Sequence, residues 1–325
     1  MTDTVFLTGA TGFIGGHVLD ALLESGRPVR ALVRTPGRLV SRPQLSEVVG
    51  DVTRAGELVG HMAGCRFLVH CAGAYSFAPA QRSVMNAVNV GGTAGVLEAG
   101  RLAGVERAVV TSSSATVGPA RGGRPATETD HADVSGDSAY HDSKITAERA
   151  AMAARLPAVL VLPTAPVGPR DWKPTPTGAA LLTFLRGRVL ASVDGGINLV
   201  AVEDVARAHV AALERGLPRQ RYLVGGENLS FDQLWARLGA LSGRRPPRYR
   251  MPHRVALLAA WVDEGRCQLR PRARPVVPLE GVRMSCHRMF IQSRRAADEL
   301  GVVPSSVDSA LERAVRWYQD NGYLA

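Results

Sequence analysis

Glycines 9, 12 and 15 constrain this chain more than any other feature. They follow a short apolar run, Val5 to Leu7, within MTDTVFLTGATGFIG, and a helical pattern from Phe13 to Glu24 begins among them. A strand that breaks into small residues and re-forms at once as a helix leaves free N–H groups and a positive dipole end at the helix start. Glycine lets the backbone approach a pyrophosphate closely, so strand, turn and helix in this order predict a dinucleotide-binding βαβ unit. The spacing is G-x-x-G-x-x-G rather than the commoner G-x-G-x-x-G. Features further along the chain must therefore support the assignment.

A second strand is expected over VRALVR, Val29 to Arg34. An NAD-selective site usually places a carboxylate near the end of this strand, to accept from the ribose 2′-hydroxyl. Here Arg34 stands at that place, with Arg38 close behind. Guanidinium groups bind a 2′-phosphate by charge-assisted, often bidentate hydrogen bonds, so the expected cofactor is NADP(H). A third strand ends at Val49 and a fourth, Phe67 to Cys71, runs into HCAGAY; a long helix is expected over about 81–102, and a fifth strand, Ala108 to Thr111, ends in three serines. This alternation over roughly 160 residues predicts an α/β fold, a doubly wound parallel sheet in the order 3-2-1-4-5-6, with chemistry at the carboxyl ends of its strands.

SAYHDSKITAERAA reads as a helix with Tyr140 and Lys144 four residues apart on one face. An unperturbed phenol, with a pKa near 10, is a poor acid or base at neutral pH; a neighbouring ammonium favours the phenolate and lowers that pKa. A serine on the preceding strand end can orient the same substrate oxygen. Only two of the 39 basic residues are lysines, Lys144 and Lys173, which leaves 37 arginines. Where arginine is so nearly universal, a retained lysine points to a need for a compact ammonium. His141 is expected on another, solvent-facing side of that helix, and His70 and His209, in apolar surroundings, as satisfied core residues.

The string TGATGFIG, Asn89 in NVGGT, TSSSATVG, YHDSK, PTAPVGPRD and NLVAVEDVARAH together resemble the extended short-chain dehydrogenases/reductases of the NAD-dependent epimerase/dehydratase superfamily. PTAPVGPRDWKPTPTG, LVGGENLSF and LEGVRM resemble most the hopanoid-associated sugar epimerases and dihydroflavonol-reductase-like proteins within it. By position the resemblance implies Tyr140 as general acid/base and Lys144 as holder of the nicotinamide ribose. The pattern Ser-x-x-[VT]-x-Gly favours Ser113 over Ser114 as the active serine, with Ser114 left on the substrate side beside Tyr75. Asn89 matches a family asparagine of a proton relay, or is an ordinary polar helix residue. Gly9, Thr11, Gly12, Phe13, Ile14 and Gly15 would cradle the cofactor, Asp51 and Val52 touch its adenine, Cys71, Ala72 and Gly73 line its middle, and Pro163 and Thr164 pack near the nicotinamide. A homodimer through the two long helices is expected on the same ground.

After the strand Ala158 to Leu162, prolines 163, 166, 169, 174 and 176 exclude a helix and suggest an ordered loop over the site. Trp172, Lys173 and Thr175 on that loop are candidates for substrate contact, unless the loop is only a rigid connection between lobes. The expected organisation is a Rossmann domain over 1–162 plus about 197–215, and a smaller discontinuous substrate lobe over about 163–196 and 222–325. The strand in NLVAVEDVARAH is taken to return to the cofactor domain, and Glu203 and Asp204 to suit a helix N-terminus.

Four cysteines lack metal-ligand spacing, so no metal site is expected. The formal charge of +10 is spread along the chain; its densest run, RRPPRYRMPHR, is broken by three prolines and reads as a solvated connection, so nucleic-acid binding is not expected. No signal-peptide pattern is evident, and the apolar run Val255 to Val262 is too short to span a bilayer. A cytoplasmic protein is expected. The activity expected is NADP(H)-dependent reduction of an aldehyde or ketone, or oxidation of the alcohol, through Ser113, Tyr140 and Lys144. The alternatives are a nucleotide-sugar epimerase or dehydratase with retained NAD(P), using Arg170, Arg283 or Arg288 on a pyrophosphate, and a non-catalytic NADP-binding protein.

Overall fold

The computed structural model of the chain describes residues 2–76, 81–119, 121–136, 138–269 and 279–324. Seven parallel strands form the main sheet: β1 (Thr2–Thr8), β2 (Val29–Val33), β3 (Leu45–Val49), β4 (Cys65–His70), β5 (Arg107–Thr111), β6 (Ala158–Pro163) and β9 (Arg221–Val224), in the order β3-β2-β1-β4-β5-β6-β9. The first six places follow the expected order. Alternate side chains along β1 bury on opposite faces. Val5 and Leu7 pack under α1 (Phe13–Glu24) and α7 (Val202–Arg215), whereas Phe6 joins Leu58 of α2 (Ala55–Met62) and Val96 of α4 (Thr93–Leu102). Burial on both faces is what makes an inner strand such as β6 continuously apolar rather than alternating.

The stretch expected as one helix over 81–102 has three parts. A short turn of α3 (Arg82–Met85) and the regular α4 are separated by a π-helical segment, Asn86–Gly92. Gly92 lies there against Val52, and Asn89 is buried. Helix α5 (Ala139–Ala153) follows the serine-bearing end of β5 and begins at Ser138, whose hydroxyl accepts from the His141 N–H.

The smaller sheet corrects one sequence expectation. Strand β8 (Gly196–Ala201) does not return to the main sheet: it pairs antiparallel with β10 (Glu227–Ser230) and parallel with β7 (Ala165–Val167) and β11 (Arg288–Met289). The main sheet takes β9 in its place, with Leu160 paired to Arg221. Only α7, directly after β8, crosses back to pack on α1. The smaller sheet is covered by α6 (Pro176–Leu185), α8 (Phe231–Ser242) and α12 (Val307–Asp320), the last burying Val307, Ala310, Leu311, Ala314, Val315 and Tyr318 at helical spacing. Glu203 and Asp204 lie in the first turn of α7 as expected, and also hold the chain terminus: Glu203 pairs with Arg313, and Asp204 accepts from the Ser305 amide. Among the described residues no helix is long and apolar enough to cross a membrane.

A buried ion pair ties α5 to the sheet edge. Arg221 Nε lies 2.9 Å from Glu148 Oε1, and the guanidinium also donates to the carbonyls of Glu128 and Asp130. Glu148 further accepts from Ser112 and Thr116. Removing one partner leaves the other charge buried without compensation, a loss of about 3–5 kcal/mol. Glu148→Gln is therefore expected to lower unfolding free energy by about that amount, measured by urea denaturation; a change within error would show that water or a neighbour replaces the carboxylate.

Candidate active site

The turn after β1 is shaped by close approach. Gly9 has φ +78°, and a Cβ there would stand 2.6 Å from the Ala72 nitrogen; one at Gly15 would overlap the Gly9 carbonyl. These two positions admit only glycine. Thr11 and Gly12 are exposed at the start of α1, and Phe13, Ile14 and Gly15 form its first turn. A cradle closed to any Cβ, opening on the N-terminus of a twelve-residue helix, fits a dinucleotide pyrophosphate.

Other predicted cofactor residues lie along the same rim. Arg34 and Arg38 are exposed just beyond β2, and the positive charge of Arg34 acts on Asp51. Asp51 accepts from the Thr53 amide and hydroxyl, which hold its carboxyl below the usual range, while Val52 is buried. Cys71, Ala72 and Gly73 follow β4, and Pro163 and Thr164 end β6, where the Thr164 amide donates to the Val224 carbonyl.

Two histidines build the floor beneath this rim. His70 bridges Thr8 Oγ1 at 2.8 Å and Thr93 Oγ1 at 3.1 Å, and Thr8 Oγ1 also accepts from the Ala72 N–H. His209 joins Thr111 Oγ1 at 2.7 Å to the Val205 carbonyl at 2.8 Å. Both are satisfied core residues, as expected. Burial pulls His70 down to about 3 and His209 down to about 4.

The side chains expected to react converge at the end of β5 and the start of α5. The Ser113 side chain lies near enough to the Tyr140 phenol to act on it. Ser113 Oγ also accepts from the Ala115 N–H, and Ser114 opens a 3₁₀ turn. Lys144 Nζ donates to the Thr111 carbonyl at 2.8 Å. The sequence-based expectation that Lys144 depresses the tyrosine is not met here. Burial dominates and raises the Tyr140 phenol, with only the Ser113 side chain acting downward. Lys144 itself falls to about 8, because burial outweighs the nearby Glu148 carboxylate. Tyr75 packs against Tyr140 with ring centroids 4.2 Å apart. Asn89 acts as a strut: its amide donates to the Ala74 carbonyl and Ser143 Oγ, and its oxygen accepts from the Ala74 N–H.

His141 differs from expectation. It is part-buried and not on the open surface: its ring centroid lies 5.9 Å from that of Tyr140, and its Nε2 is buried with no hydrogen-bond partner among the described residues. Burial lowers its pKa. The four cysteines are free, and desolvation pushes the part-buried Cys71 thiol up to about 12. Among the described residues no cluster of His, Cys, Asp and Glu could hold a metal ion.

The proline loop is pinned to the cofactor-side helix. Arg170, in a left-handed backbone conformation (φ 68°), reaches Asp20 and His17 Nδ1 on α1, while His17 Nε2 meets the Pro169 carbonyl at 3.0 Å. Arg42 binds Asp20 as well. Trp172 and Lys173 are exposed; the Trp172 ring lies edge-on to Trp317. Thr175 has a structural duty, because its hydroxyl donates to Asp171 and caps α6 by accepting from the Gly178 N–H. Sequence reasoning missed one more contact: Glu280, on α10 (Leu279–Ser285), accepts from the Ser138 hydroxyl at the start of α5. Partners 142 residues apart leave no local signal.

A phosphate cradle with a serine, tyrosine and lysine on one rim of a parallel sheet defines a nucleotide-dependent short-chain oxidoreductase. The NAD dependent epimerase/dehydratase family matches residues 5–225, and the chain belongs to that family. It is 41% identical to a putative dihydroflavonol 4-reductase of Synechocystis, covering 100% of this chain and 97% of that protein. It is 31% identical to sterol demethylase protein B of Methylococcus capsulatus, covering 99% and 100%. The crystal structure of gox2253 superposes with a TM-score of 0.85 at 34% identity, over 100% of both chains. The protein is an enzyme of the extended short-chain dehydrogenase/reductase type, in an NAD(P)-dependent family.

The floor histidines give a pH dependence of folding. In the folded chain burial holds His209 at about 4, below the ordinary histidine value of about 6.5. Between the two the unfolded chain binds more protons, so stability falls as pH drops from about 6.5 towards 4, by about 3 kcal/mol from this residue alone. Urea midpoints measured across that window should flatten in His209→Gln. An unchanged slope would mean His209 does not contribute.

Proposed function

We propose that the enzyme reduces an aldehyde or ketone with NADPH, Tyr140 and Ser113 acting on the carbonyl oxygen. The observation that carries this reading is the Ser113 side chain set against the Tyr140 phenol, with Lys144 one helical turn along and its ammonium on the Thr111 carbonyl. At neutral pH the phenol carries its proton, the form that can donate to an oxygen gaining charge, although burial raises it and makes it a weaker acid, so the reading rests on its placement. Ser113, beside that phenol, would hold the same substrate oxygen. Lys144, anchored on the Thr111 carbonyl, keeps a donor near the ribose position. The nicotinamide, when bound, supplies the hydride for the carbonyl carbon. Tyr75, packed at a tilt against Tyr140, would form the neighbouring wall of the substrate pocket.

The choice of NADPH rests on Arg34 and Arg38, exposed at the end of β2 where an NAD-selective site keeps a carboxylate. The putative dihydroflavonol 4-reductase relative, aligned over the whole chain, favours a reductase. An epimerase would need arginines for a substrate pyrophosphate. Of the three candidates, Arg170 is held by Asp20 and Arg288 by Asp194, which weighs against that use.

In fluorescence titrations NADPH should bind more tightly than NADH, and Arg34→Asp should reduce or reverse the preference; equal affinities for the parent enzyme would remove the phosphate-binding role. Tyr140→Phe should lower turnover by about 100-fold or more, the scale of general acid catalysis, while cofactor affinity stays near that of the parent. A mutant retaining full activity would overturn the assignment, and interconversion of a sugar without net NADPH loss would favour the epimerase.

A further inference from the structure

Helix α9 (His253–Leu269) is apolar on two sides. Ala256 and Ala260 are buried and cluster with Val282 of α10. On the opposite side Val255, Leu258, Trp261 and Val262 are between 50% and 66% exposed. At about 100° per residue these four fall within an arc of about 120°. A helix with apolar residues on both sides normally has both covered, and a contiguous exposed patch of this kind marks an interaction site.

The chain leading into α9 identifies the covering material. Arg244, Arg245, Arg248 and Arg254 are exposed, and among the described residues none of them enters an ion pair. The neighbouring arginines differ: Arg250 pairs with Asp232 and Arg266 with Asp263. Tyr249 is 77% exposed in the same arm. Uncompensated guanidinium groups next to an aliphatic stripe that carries an exposed tryptophan match an anionic bilayer surface. Phosphates there meet arginine, and amphipathic rings sit at the headgroup boundary.

We propose that α9 and the arginine arm before it form a docking face for anionic membrane lipid. Leu258 and Trp261 would enter the headgroup–acyl boundary, with Arg244 and Arg245 on lipid phosphates. The helix lies in the surface and does not span it. Helix α10, packed on the inner side of α9, bonds through Glu280 to Ser138 at the start of the Tyr140 helix. The docking face is thus one helix removed from the reacting groups.

The test is co-sedimentation of the full-length protein with vesicles of phosphatidylcholine alone, or with about one-third phosphatidylglycerol. Binding is expected on the anionic vesicles, at least about tenfold weaker on neutral ones and weakened by salt. Leu258→Asp, Trp261→Asp and the double change Arg244→Glu with Arg245→Glu should each reduce it by about tenfold or more, with NADPH affinity unchanged as the check on folding. Protein that stays in the supernatant with both vesicle types overturns the proposal, as does undiminished binding by Leu258→Asp. Absence of vesicle binding together with a dimer in sedimentation velocity that Trp261→Asp dissociates would also overturn it, assigning the face to a second copy of the chain.

Discussion

At Gly9 the first turn passes so near the end of β4 that one methyl group would stand 2.6 Å from the Ala72 nitrogen. That close approach fixes how β1 and β4 end together. Thr8 Oγ1 accepts from the Ala72 amide and meets His70, which in turn meets Thr93 on α4. The turn that would receive a pyrophosphate, the loop that leads to Tyr75 and the helix behind them are therefore one connected unit. A neutral imidazole suits its centre, because each ring nitrogen has a hydroxyl partner and a charged ring there would be buried without an acid.

Helix α5, which carries Tyr140 and Lys144, is held from three directions. Glu148 ties its C-terminal half to Arg221 on β9, Ser143 receives the Asn89 amide from the π-helical segment, and Ser138 at its start donates to Glu280 of α10. Tyr140 and Lys144 lie between these anchors, on a helix with little freedom to shift. Pre-positioning of this kind removes orientational freedom before substrate arrives. The π-helical segment has a local reason as well: one extra residue in the turn brings Asn89 inward, where its amide spans Ala74 and Ser143.

Much of this was legible in the sequence, because local patterns encoded it. The glycine turn, the six-strand order and the Tyr140–Lys144 spacing all rest on contacts within a turn, a helix or a neighbouring strand. The exchange of β8 for β9 was hidden for the opposite reason. Both strands are short and apolar, and only long-range pairing decides which sheet each joins. His141 was misread because helical spacing gives a direction, not the depth of what packs there. The proline loop was visible, but its anchor on His17 and Asp20 lies about 150 residues away in sequence.

Lysine scarcity has a physical basis at one of its two positions. Lys144 is enclosed near the Thr111 carbonyl, and desolvation lowers it to about 8. An ammonium can approach neutrality in such a place, whereas a guanidinium cannot. Lys173 is exposed, and no comparable constraint acts on it. The same contrast bears on Tyr140. Desolvation opposes charge on the phenol as it does on the ammonium, so burial favours a neutral tyrosine over a phenolate. The same burial makes the phenol a weaker acid, so the proton transfer proposed for Tyr140 rests on its position beside Ser113 and Lys144 and not on its pKa.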